Sequence, residues 1–134
     1  MLLVFLGGPM ITHINLPVVN LKESEKFYND VLGFETVMFF TETDDPDDVC
    51  KVVMNYNGFD FFLERSEENM AKKMPLFHIG LKVAPNEIDH FAKRLMTHGV
   101  DIGEGPVENP PYSNTFRFYF EDPDGWIIEV YDDI

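Results

Sequence analysis

His13-Ile14-Asn15-Leu16-Pro17-Val18 returns about half a chain later as His78-Ile79-Gly80-Leu81-Lys82-Val83. Both read His-Ile-x-Leu-x-Val. Each leads into a helical pattern, and each helix closes on a Gly-hydrophobic-acid triplet, Gly33-Phe34-Glu35 and Gly99-Val100-Asp101. A repeat of this kind marks a duplicated supersecondary unit.

The elements follow from local signals. Asn20 with Glu23 three residues on forms a capping box, Phe27, Val31 and Leu32 supply a buried stripe, and Gly33 stops the first helix. Pro85 and Asn86 open the second. Ile88, Phe91, Ala92 and Leu95 give its period, and Gly99 ends it. Strands are expected over 34–41, 50–56 and 59–65, the last two as a hairpin around Asn57-Gly58. In the second half a strand begins at 100–102, and strands 115–120 and 126–131 flank the turn Asp122-Pro123-Asp124-Gly125. Residues 43–48 are an acidic loop, and 103–114 a Gly/Pro-rich loop long enough to cover a site. Each half reads β-α-β-β-β. The fold class is α+β: two paired βαβββ modules forming curved mixed sheets around a central cleft. Residues 1–10 are an extension, 11–65 the first module, 66–75 a linker and 76–134 the second module, all within one structural domain. The extension is too short to span a membrane and lacks the basic leader of a secretory signal; it is expected to pair as an edge strand or to be an artefact foreign to the native chain.

Gross composition narrows the function. The chain has 134 residues with 45% hydrophobic content, enough for a core. Its formal net charge of −14 repels phosphate backbones and anionic lipid surfaces, so neither nucleic acid nor membrane is an expected partner. One cysteine, Cys50, cannot form an internal disulfide or a Cys-rich zinc site. It reads as a small hydrophobe in a reducing, cytoplasmic compartment.

Strand alternation turns the repeat into chemistry. Ile14, Leu16 and Val18 face the helix, so His13 faces away. Ile79, Leu81 and Val83 repeat the row, with His78 opposite. In the last strand Trp126, Ile128 and Val130 face the helix and Glu129 does not. Two imidazoles and a carboxylate on the non-helix faces suit a divalent Zn, Fe, Ni, Co or Mn with positions open for substrate oxygen.

The stretches ITHINLPVVNLKESEKFYNDVLGFE, FHIGLKV and FYFEDPDGWIIEVYD resemble the vicinal oxygen chelate superfamily. That group includes glyoxalase I, fosfomycin-resistance proteins, extradiol dioxygenases, methylmalonyl-CoA epimerase and bleomycin-resistance proteins. The resemblance implies paired βαβββ modules around a divalent metal, often in a homodimer, with His13, His78 and Glu129 as ligands. Several members carry a fourth ligand on the last strand of the first module. Here Phe62 stands opposite Glu129 in the repeat and cannot bind metal. Asp60 or Glu64, on the same face as Phe62, is the candidate replacement.

An extradiol dioxygenase wants a free acid–base histidine, and only His90 and His98 remain, both on the second helix. Anion binding wants cations, and Arg65, Arg117 and Lys82 are the candidates near the cleft strands. Phe39 or Phe40, Phe62, Phe118 or Phe120, Tyr112 and Tyr131 are candidate apolar lining. The reading is a glyoxalase- or dioxygenase-like metal enzyme acting on a small, mostly apolar, oxygen-bearing substrate, with Glu129 or Glu64 as the acid–base residue. The rival is a non-catalytic binding protein of the bleomycin-resistance type.

Overall fold

A computed structural model describes residues 7–109 and 112–132. The first module runs β1 (His13–Val18), α1 (Leu21–Asp30), β2 (Glu35–Thr41), β3 (Val49–Tyr56) and β4 (Phe59–Arg65). The second runs β5 (His78–Lys82), α2 (Ile88–Thr97), β6 (Val107–Asn109), β7 (Tyr112–Glu121) and β8 (Ile127–Tyr131). The sheets have orders β1-β4-β3-β2 and β5-β8-β7-β6, the same path twice. The first pair in each is parallel, because a helix carries the chain across; the rest are antiparallel.

Helix α1 forms as its sequence predicts. Asn20 accepts a hydrogen bond from the Glu23 amide at 3.1 Å. At the other end Gly33 adopts φ 75°, which lets the Gly33 and Phe34 amides reach back to the Asn29 and Tyr28 carbonyls. Asn20→Ala should cost about 1 kcal/mol of unfolding free energy in urea titration, the usual worth of such a cap. Helix α2 starts later than expected. Asn86 sits at φ 71°, a left-handed conformation that ends a turn instead of opening a helix, and Glu87 is the cap.

Two further expectations change. Residues 100–102 form no strand, because the Asp101 carboxylate captures the Gly103 amide at 2.8 Å and Gly105 donates back to Ile102 in a turn. The 103–114 stretch, read as loop, instead carries β6 and the start of β7. Of the N-terminal extension, residues 7–10 form no strand; residues 1–6 lie outside the described residues.

The helix-side rows of both sheets meet in one core. Leu16, Val18, Phe61 and Leu63 from the first module join Phe118, Ile128, Val130 and Trp126 from the second. A polar seam locks them. The Tyr28 hydroxyl on α1 donates to Asp122 at 2.7 Å, the Val19 amide donates to Asp124 at 2.9 Å, and Trp126 Nε1 donates to the Pro17 carbonyl at 2.8 Å. The non-helix faces of both sheets therefore point outward.

Candidate metal-binding face

Register fixes what stands on each outward face. In the first module His13 pairs with Asp60, Asn15 with Phe62 and Pro17 with Glu64. In the second His78 pairs with Ile127, Gly80 with Glu129 and Lys82 with Tyr131. His13 and His78 are thus equivalent, and so are Phe62 and Glu129. The absence of a second Glu, read from the repeat, is a fact of the register.

The two histidines consequently meet different neighbours. His78 Nε2 lies 3.6 Å from Glu129 Oε2, with the carboxylate mostly shielded and the imidazole half open. His13 instead stacks on Phe62, ring centroids 4.4 Å apart at 13°. A nitrogen and an oxygen at this separation suit two ligands of one divalent ion. Among the described residues no group of three His, Cys, Asp or Glu side chains converges, so one chain brings His78 and Glu129 together but not His13.

Other groups frame the pair. Tyr119 pairs directly with Glu129 across β7 and β8 and hydrogen-bonds its carboxylate. Burial, then that hydrogen bond and the carboxylate charge, raise the Tyr119 hydroxyl pKa, with Arg117 opposing, so Tyr119 stays a proton donor at neutral pH. Arg117 lies over the Tyr119 ring at 5.8 Å. Gly80 leaves the strand surface beside Glu129 open; a Cβ there would already meet the Tyr131 ring at 3.4 Å.

The remaining candidates fall in separate places. Asp60 accepts from Asn55 at 3.0 Å, and Glu64 pairs with Lys51 at 2.9 Å. Arg65 is taken up by Glu42 and Asp48, whereas Arg117 and Lys82 both flank Tyr131 on the face that carries Glu129. Phe118 and Phe120 are both buried in the core, Phe120 also bordering an open hollow beside His78, and Tyr119 between them faces out. Strand alternation from Glu129 held the signal for Tyr119. The side chain of Tyr112 lies outside the described residues.

Two βαβββ modules, each presenting a histidine on an outward sheet face, define a paired-module scaffold of the vicinal oxygen chelate kind. The chain belongs to the Glyoxalase/Bleomycin resistance protein/Dioxygenase superfamily, whose sequence profile matches residues 10–130. It is 29% identical over 114 residues to a Bacillus subtilis (strain 168) protein described as a probable trivalent organoarsenical cleaving enzyme, a match covering 84% of this chain and 73% of that one. It superposes on an integron cassette protein from the mobile metagenome of the Halifax Harbour sewage outfall, with TM-score 0.73, 25% identity and coverage of 92% and 98%. It also superposes on the fosfomycin resistance protein FosX of Listeria monocytogenes, with TM-score 0.74, 16% identity and coverage of 97% and 96%. FosX is known complexed with Mn(II) and sulfate; its likeness to this chain is one of fold. No helix among the described residues is long and apolar enough to cross a membrane.

Proposed function

We infer that the protein is a metal-dependent enzyme acting on a small, mostly apolar, oxygen-bearing substrate. His78 and Glu129 of one copy, with His13 of a second copy in a homodimer, would hold a divalent Zn, Fe, Ni, Co or Mn ion. The observation that carries this reading is the His78–Glu129 pair, at 3.6 Å on an open face. The ion, when bound, supplies Lewis acidity and positions for neighbouring substrate oxygens. Tyr119 holds the Glu129 carboxylate through its hydroxyl, and Arg117 on the same face brings positive charge near a substrate oxygen. Asp60, directly opposite His13 in register, is the better placed candidate for a fourth ligand. Glu64, neutralised by Lys51, is the remaining acid–base candidate on the first-module face.

A homodimer is supported by what the outward faces expose. Met38 and Phe40 on the first-module face and Tyr119 on the second are each more than two-fifths exposed, apolar surface that a second copy would cover. The organoarsenical activity of the Bacillus subtilis relative is not carried over. Trivalent arsenic is a soft, thiophilic centre, and this chain has a single cysteine.

Metal content after purification without chelator tests the reading. The wild type should retain close to one ion per chain, and His78→Ala should bind it about tenfold more weakly or worse. Equal retention by both, or none in either, rejects it. A second reading, a non-catalytic binder of the bleomycin-resistance type, draws on the His13–Phe62 stack, which places a ring at a ligand position. It predicts saturable ligand binding by a metal-free protein.

A further inference from the structure

A half-open hollow of about 470 Å³ lies between the modules, lined by β1, the β3–β4 hairpin and β5. Its aromatic walls are Phe34, Tyr56, Phe59, Phe61 and Phe77, and Ile14 and Ile79, at matching positions of β1 and β5, also line it. The rings hold one another in place. Phe34 stacks on Tyr56 at 4.8 Å and meets Phe61 edge-on at 5.3 Å, and Phe77 is fixed edge-on against Trp126 at 5.3 Å. Such walls are set before any ligand arrives. None of the described lining residues is Asp, Glu, Lys or Arg. The polar groups at hand are the Tyr56 hydroxyl, the His78 ring and main chain. Phe59, Phe77 and Tyr56 remain 37–39% exposed at its rim, an apolar mouth that water solvates poorly.

We propose that this hollow is a binding site for one uncharged, planar aromatic small molecule; it borders the outward face at His78 and Gly80 but takes in neither Glu129 nor Tyr119. The volume falls in the range of about 300–1,000 Å³ that small-molecule sites occupy. Aromatic walls select flat rings through offset and edge-on packing. A charged ligand finds no counter-ion there, and an anion also meets the net charge of −14. The site does not require the metal reading to hold.

The test is titration of the full chain with N-phenyl-1-naphthylamine, a neutral fluorophore that brightens in apolar surroundings, with and without EDTA. Saturable binding of one probe per chain is expected, unchanged by EDTA. Ile79→Phe, which fills the hollow, and Phe59→Ser, which removes part of its wall, should each weaken binding about tenfold. Phe39→Ser is the control: Phe39 is 58% exposed on β2, pairs with Val52 while Phe40 takes the outward row, and borders no part of the hollow, so its loss should change nothing. If Ile79→Phe does not fold, Phe59→Ser against Phe39→Ser decides. Absence of saturable binding overturns the proposal, as does equal weakening by Phe59→Ser and Phe39→Ser. Binding that falls away as the chain dimerises assigns the hollow to a second copy and also overturns it. So does binding that appears only after removal of residues 1–6, which would assign it to the chain's own N-terminal segment.

Discussion

Refolded together in equal amounts, the His13→Ala and His78→Ala variants should recover about a quarter of the wild-type metal sites, although neither holds metal alone. The expectation rests on where the histidines stand. His78 has its carboxylate partner at 3.6 Å within the same module, while His13 is stacked on Phe62 in the other. Both sit on faces that the shared core turns outward. If a site takes His13 from one copy and His78 with Glu129 from the other, a mixed dimer has one intact site. Its second site lacks both histidines. Random pairing makes about half the dimers mixed, and half the sites in those are intact. Circular dichroism of the separate variants excludes unfolding as the cause of their metal loss. No recovery on mixing, or full metal retention by His13→Ala alone, would rule out a shared site.

What the sequence makes legible is what short-range physics decides. The cap at Asn20, the Asn57-Gly58 turn with both residues at positive φ, and the alternation that separates Glu129 from Ile128 all act within a few residues. Each was readable, and so was the mismatch of Phe62 with Glu129. The misread segments are those where a side chain outcompetes the local pattern. Val100 and Ile102 look like a strand, but Asp101 turns the chain and packing alone covers Ile102. Asn86 looks like part of a helix start and is held left-handed. Sequence alternation could say which way His13, His78 and Glu129 point from their own sheets. It could not say that the helix-side rows of the two sheets would fuse into one core. That depends on contacts such as Tyr28 with Asp122, which lie far apart along the chain.

The same contact sets the largest stability effect expected in this protein. Asp122 is 5% exposed, yet its carboxylate accepts from the Tyr28 hydroxyl at 2.7 Å and from the amides of Asp124, Gly125 and Trp126 at 3.0, 3.1 and 2.9 Å. Asp122→Ala strands these donors in the seam between modules. At about 1–3 kcal/mol for each buried donor left unpaired, and with partial relaxation, about 3–5 kcal/mol of stability should be lost. Asp122→Asn keeps an acceptor for the amides and should cost less. The wild type and Asp122→Asn also separate by pH. Burial pushes the Asp122 carboxyl up to about 6, with Asp124 adding to the rise and the hydrogen bonds from Tyr28, Trp126 and Asp124 opposing it. A raised carboxyl binds its proton more tightly folded than unfolded. Its contribution is therefore complete below the unfolded value near 4 and is lost as pH rises through about 6. A rise of about two units corresponds to about 2–3 kcal/mol. Urea unfolding at pH 4 and at pH 7.5 should show the wild type losing roughly that amount relative to Asp122→Asn across the interval. Parallel pH profiles for the two proteins would mean that Asp122 is not held against ionisation. Tyr28→Phe provides the cross-check: it removes the hydroxyl but not the burial, so it should steepen the wild-type loss with pH.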